Sequence, residues 1–90
     1  MTSPMKRILV LVSGSGSNLQ AILDNCASGK IAGEVVGVIS NKADAYGLVR
    51  AQTAGVATAT LAQQQFASRA EYDVALQALM DDYQPDLVVL

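Results

Sequence analysis

The stretch Arg7-Ile8-Leu9-Val10-Leu11-Val12, followed at once by Ser13-Gly14-Ser15-Gly16-Ser17-Asn18, decides the fold. Its first half is an unbroken run of leucine and β-branched side chains, the pattern of a strand buried on both faces. Its second half is glycine-rich and leads into Leu19, Ile22, Leu23 and Cys26, apolar residues at helical spacing. A strand, a glycine loop and an amphipathic helix in that order open a parallel α/β sheet. Ser17-Asn18-Leu19-Gln20 has the hydroxyl-then-glutamine spacing of a capping box, which predicts Ser17 as the helix N-cap. Gly29 predicts the end of that helix.

The same alternation continues outward from this unit. Residues 34–40 read as a second strand, and Asn41 to Asp44 as a polar turn with Asp44 capping a short helix over 45–54. Gly55 ends it, and residues 57–61 alternate weakly as a third, edge-like strand. Ser68-Arg69-Ala70-Glu71 is a second capping box. It opens a helix with Tyr72, Ala75, Leu76, Leu79 and Met80 on one face. Pro85 follows the end of that helix, and residues 86–90 read as a fourth strand. The order βαβαβαβ with right-handed crossovers predicts a Rossmann-like parallel sheet.

Composition narrows the class. Ninety residues suffice for one domain. At 51% hydrophobic and 16% charged, the chain is too apolar for disorder. The net charge is −2 and Lys6-Arg7 is the only adjacent basic pair, which excludes a nucleic-acid footprint and a polybasic membrane patch. Cys26 is the single cysteine, so no internal disulfide forms, and a reducing cytoplasm is the expected location. The apolar run after Arg7 is too short to span a bilayer and reads as a strand, not a signal peptide. The sequence stops at Leu90 inside an apolar strand, where an α/β sheet normally feeds a ligand-binding loop. The chain is therefore expected to be the N-terminal part of a larger protein.

The loop suits an anion. Gly14 and Gly16 permit tight or left-handed backbone, the helix that follows offers unpaired N–H groups, and Ser15, Ser17 and Asn18 add side-chain donors. A nucleoside-triphosphate loop is excluded, because no Gly-Lys-Ser/Thr follows at the required spacing. A dinucleotide loop is disfavoured: Leu19 stands where the third glycine belongs, and Ser40-Asn41-Lys42 replaces the acidic residue that ends the second strand. A terminal phosphate on a small sugar fits better.

At this loop the chain resembles a known family. Leu11-Val-Ser-Gly-Ser-Gly-Ser-Asn-Leu-Gln-Ala-Ile-Leu23 is similar to the start of the glycinamide ribonucleotide transformylases, also called phosphoribosylglycinamide formyltransferases. So are Ile39-Ser-Asn-Lys-Ala-Asp-Ala-Tyr-Gly-Leu48, Phe66-Ala-Ser-Arg-Ala-Glu-Tyr-Asp73 and Pro85-Asp-Leu-Val-Val-Leu90. The Ser-Gly-x-Gly-Ser-Asn-Leu-Gln segment is the specific one; formyltransferases acting on methionyl-tRNA and formyltetrahydrofolate deformylases do not usually show it. The resemblance implies formyl transfer from 10-formyltetrahydrofolate to glycinamide ribonucleotide in purine biosynthesis. It implies that Gly16, Ser17 and Asn18 hold the substrate phosphate, that Arg69 contacts the folate, and that the strand end at Leu90 borders the pteridine pocket. The family's catalytic Asn, His and Asp lie beyond residue 90, and the chain has no histidine. Residues 1–90 alone are therefore expected to bind the phosphate at most, with no catalytic residue among them.

The remaining residues carry plainer expectations. Arg69 sits where the helix dipole disfavours a cation, so function and a solvated surface charge compete for it. Phosphate steering by Lys42 competes with simple exposure. Cys26 is expected in the core. Asp81, Asp82 and Asp86 read as solvated charge, with no metal site, and the tyrosines as packing residues with wet hydroxyls. The alternative to an enzyme part is a non-catalytic α/β module that binds a phosphate ligand or a protein. A truncated sheet would leave apolar strand edges open to self-association or to a separate C-terminal half.

Overall fold

Four parallel strands form one sheet in the order β3-β2-β1-β4. In the computed structural model, which describes residues 6–89, the elements are β1 (Lys6–Val12), α1 (Ser17–Ala27), β2 (Gly33–Ser40), α2 (Tyr46–Thr53), β3 (Thr58–Thr60), α3 (Arg69–Asp82) and β4 (Leu87–Val89). The predicted order and Rossmann-like class hold. A 3-10 turn at Gln63–Gln65 carries no clear signal in the sequence. Leu90, and the residues before Lys6 on which part of the signal-peptide reading falls, lie outside the described residues.

The principal core lies between one face of the sheet and helices α1 and α2. Ile8 and Val10 of β1, Val38 of β2, Leu19 of α1, and Leu48 and Ala51 of α2 are buried together there. Leu9 and Ile39 point to the opposite face by strand alternation and are buried as well. That face carries α3, whose apolar side is only half-buried at Tyr72, Ala75, Leu76, Leu79 and Met80. Cys26 is half-buried against the main core, and burial pushes its thiol pKa up, so it keeps its proton and packs as a small apolar group. Among the described residues no helix is long and apolar enough to cross a membrane.

Two predicted caps are corrected. The N-cap of α1 is Gly16 in left-handed backbone, without a side-chain cap, and Ser17 is already the first helical residue. Gln20 turns away to Asp24 and Arg50 instead of closing a capping box. The N-cap of α2 is Ala45, not Asp44, again without a side-chain cap. Only the third helix follows its sequence signal: Ser68 Oγ accepts the Glu71 N–H at 3.2 Å. The Glu71 carboxylate reaches one residue further back than a capping box requires, to the Ala67 N–H.

The register of β1 on β2 slips between Ile8 and Leu9: Ile8 pairs with Val35 and Leu9 with Gly37. Val36 is the extra residue of a bulge. Gly37 then lies under the Tyr83 ring, where an added Cβ would stand 2.5 Å from Cε1 and 2.6 Å from Cδ1. Gly37→Ala is expected to cost about 1–3 kcal/mol of stability through this overpacking. Urea unfolding reads it, and Tyr83→Ala in the same chain should relieve most of the loss. An unchanged midpoint for Gly37→Ala would remove the ring from that position.

Arg7 ties the first strand to the last helix and strand. Its Nη2 donates to the Tyr83 carbonyl at 2.8 Å, and its Nε to the Tyr83 and Gln84 carbonyls at 3.2 and 3.1 Å. Its main-chain N–H donates to Asp86 Oδ2 at 2.9 Å, and the Asp86 N–H returns to the Arg7 carbonyl at 2.8 Å. The guanidinium thus satisfies carbonyls left open at the end of α3. Gln84, at φ 50°, is the one non-glycine residue with positive φ among the described residues, and it is held inside this clasp.

Candidate functional site

From β1 the chain moves to β2 and β3 on one side, then crosses back to β4 on the other. The crevice outside the carboxyl ends of β1 and β4 is therefore the topological switch point, where open α/β sheets bind ligands. The loop Ser13 to Asn18 sits there. With Val10 and Val89 it lines a cavity of about 260 Å³. Gly16, Ser17 and Asn18, the three residues predicted to hold phosphate, are brought together in its wall.

The loop is built against α2. Gly16 has φ 73°, and a Cβ on it would stand 2.6 Å from the Gly47 Cα. Gly14 does not share this constraint: its φ is not positive, and a Cβ added there would meet nothing within 4 Å. The sequence treats the two glycines alike; the structure needs left-handed freedom only at Gly16. Three successive loop carbonyls are engaged. The Gly14 oxygen accepts the Gly47 N–H at 3.0 Å, and the Gly16 oxygen accepts the Gln20 N–H at 2.9 Å. Between them, the Ser15 oxygen accepts Arg50 Nε at 2.7 Å. Arg50 also donates through Nη1 to Gln20 Oε1 at 3.1 Å and lies over the Tyr46 ring, 4.9 Å from its centroid.

Sequence reasoning does not single out Gly47 or Arg50. The one signal it offers is Gly47 itself, a glycine inside the first turn of a helix, where it costs stability unless something packs closely. Here Val12 of β1 packs closest, 3.0 Å from where a Cβ on Gly47 would stand, with the Gly16 Cα next at 3.3 Å.

A second cavity, of about 430 Å³, opens on the α3 side of the sheet. Leu11, Ile39, Tyr72 and Leu76 give it apolar walls, and Asn41, Gln63 and Arg69 add polar groups. It shares Leu11, Val12 and Ser13 with the loop cavity, so the two meet over the end of β1. Arg69 is thus in the adjoining cavity and not beside Gly16, Ser17 and Asn18. Its Nε donates to Asp73 Oδ1 at 3.2 Å, an exposed pair one turn along the helix, which offsets part of the unfavourable dipole at that position.

Lys42 is exposed and lines neither of these cavities. The Tyr72 hydroxyl donates to the Leu61 carbonyl at 3.1 Å, and its ring meets Phe66 edge-on at 5.7 Å. Asp86 and Asp81 are engaged by the Arg7 N–H and the Gln77 amide. Among the described residues no three His, Cys, Asp or Glu side chains cluster as metal ligands would.

Known proteins with this arrangement are close in sequence. Residues 6–90 match the family model described as formyl transferase. The chain belongs to the formyl transferase family. It is similar to the phosphoribosylglycinamide formyltransferase of Escherichia coli (strain K12), with 58% identity over 83 residues, 92% of this chain and 39% of that protein. The Haemophilus influenzae protein of the same name is 48% identical over 86 residues, 96% of this chain and 41% of its own length. The crystal structure of glycinamide ribonucleotide transformylase 1 from Symbiobacterium toebii superposes with a TM-score of 0.91 at 50% identity, over 97% of this chain and 41% of that one. The chain therefore spans about two fifths of the length of these formyl transferases, and corresponds to their N-terminal part.

Proposed function

We propose that this formyl transferase chain forms the substrate-gripping part of a glycinamide ribonucleotide transformylase. Gly16, Ser17 and Asn18 hold the 5′-phosphate of glycinamide ribonucleotide, and Arg69 contacts 10-formyltetrahydrofolate, the formyl donor of this purine-biosynthetic step. The observation that carries the reading is the pair of cavities joined over the end of β1, one walled by the glycine loop and one by Arg69.

The residues fit both molecules. The loop offers N–H groups and hydroxyls at a helix N-terminus, suited to a phosphate dianion. The larger cavity has the size and the apolar lining with few polar groups of a small-molecule pocket. Tyr72, Leu76 and Ile39 suit a flat aromatic ring there, and Arg69 suits a carboxylate. Holding both substrates against one strand end brings the primary amine toward the formyl carbon. The reaction forms an amide C–N bond, breaks the C–N bond to the folate and moves an amine proton to the folate nitrogen. Residues 1–90 supply grip and orientation for this, and no catalytic residue is assigned among them.

Steady-state kinetics in a full-length transformylase carrying these ninety residues tests the assignment. Ser17→Ala is expected to raise the KM for the ribonucleotide about tenfold, the effect of one hydrogen bond to a charged group, and to leave the folate KM alone. Arg69→Ala should do the reverse. If neither selectivity appears, the two cavities are wrongly assigned. The same assay on purified residues 1–90 alone is expected to read no turnover.

A further inference from the structure

We propose that Arg50 is a positioning residue for the anion site: from α2 it holds the Ser15–Gly16 peptide plane so that the Gly16 N–H faces the crevice. This rests on the reading of the loop as the phosphate grip.

In a trans peptide the carbonyl of one residue and the N–H of the next point in opposite directions, and the described residues contain no cis peptide bond. The Ser15 carbonyl is drawn toward α2 by Arg50 Nε at 2.7 Å. The Gly16 N–H, across the same peptide plane, is thereby aimed away from α2. The Gly14 carbonyl is held toward α2 by the Gly47 N–H at 3.0 Å, which aims the Ser15 N–H the same way. Gly47 and Arg50 both act from α2, the first through its main-chain N–H and the second through its side chain. Successive N–H groups turned to one side, with their carbonyls turned to the other, make an anion nest.

The guanidinium is fixed for this task. Nη1 donates to Gln20 Oε1, Gln20 Nε2 donates to Asp24 Oδ1 at 3.0 Å, and the Tyr46 ring covers the guanidinium at 4.9 Å. The loop has no basic residue of its own. Arg50 therefore also sets a positive charge behind the loop, bonded to the loop backbone on the side away from the crevice. A lysine can reach one acceptor but cannot span the Ser15 carbonyl and the Gln20 amide as a planar fork does.

Kinetics of Arg50→Ala, Arg50→Lys and Ser17→Ala in the full-length transformylase test this. Arg50→Ala is expected to raise the ribonucleotide KM about tenfold or more while the formyl-donor KM stays within about twofold, with Arg50→Lys between it and wild type. A merely structural role would raise both KM values together, and that result overturns the proposal. If Ser17→Ala raises the ribonucleotide KM and Arg50→Ala does not, the loop reading stands and the role of Arg50 falls. No rise for either variant takes down the loop reading itself. If Arg50→Ala does not fold, Arg50→Lys decides: a rise selective for the ribonucleotide supports the proposal, and its absence overturns it.

Discussion

Gly16→Val is expected to cost about 3 kcal/mol or more of stability and to remove ribonucleotide binding. Two independent obstacles add. A residue with a Cβ is strained in left-handed backbone by about 1–2 kcal/mol, and Gly16 has φ 73°. Its Cβ would also stand 2.6 Å from the Gly47 Cα, a backbone atom with no rotamer to escape into. Relief requires α2 and the loop to separate, which costs about 1–3 kcal/mol as overpacking and breaks the Gly14 to Gly47 bond. The loop N–H groups then lose their common direction. Losing two hydrogen bonds to a dianion, at about 1.5 kcal/mol or more each, weakens binding at least about 100-fold. Urea unfolding and calorimetry with glycinamide ribonucleotide read the two effects. Gly14→Ala is the control. It meets nothing within 4 Å and needs no positive φ, so it should change stability by less than about 1 kcal/mol. Equal behaviour of the two variants would overturn the special status of Gly16.

Leu19→Ala is the second large effect and separates core from site. Leu19 is 0% exposed and packs with Ile8, Val10, Val38 and Leu48 between α1 and the sheet. Truncating a leucine in such a place costs about 2–5 kcal/mol. Even the lower figure lowers the melting temperature by about 4 °C or more. Leu19 follows Asn18 and borders the loop cavity, yet its side chain is buried in the core. The folded fraction should therefore keep ribonucleotide affinity within about threefold, whereas Gly16→Val loses it. Leu19→Met, close in volume, should cost less than about 1.5 kcal/mol. Thermal unfolding followed by circular dichroism measures the series, and a Leu19→Ala midpoint near wild type would contradict its place in the core.

The order of elements is legible in the sequence because it depends on local periodicity. The runs through Ile8 to Val12 and Val35 to Ile39, and the spacing of Leu19, Ile22, Leu23 and Cys26, need no distant partner to be read. The helix starts are less so. Ser17 and Asp44 carry good capping side chains, yet Gly16 and Ala45 occupy the caps. At α1 the turn is shaped by Gly47 and Arg50, 31 and 34 residues beyond Gly16, and side-chain chemistry at the boundary cannot report that. Ser68 caps α3 as its sequence predicts. The bulge at Val36 is invisible for the same reason: it aligns Gly37 with Tyr83, a residue on a distant element. Within the candidate site, Gly16, Ser17, Asn18 and Arg69 are nameable through the family's motif. Arg50 is not, because its task is set by a carbonyl on another element.

The Arg7 clasp has a consequence for synthesis. β1 lies inside the sheet, between β2 and β4, and its partner Asp86 comes 79 residues later in the chain. At about 5–20 residues per second, a ribosome takes about 4–16 s to deliver that partner. Through that interval the apolar run Ile8 to Val12 of β1 lacks the partner strand on one of its two flanks. The guanidinium of Arg7, waiting at the head of that strand, keeps a cation on the open flank until the end of α3 arrives to take it. Sequences that alter this residue should therefore show their defect first in the yield of newly made protein, before it appears in the stability of what has already folded.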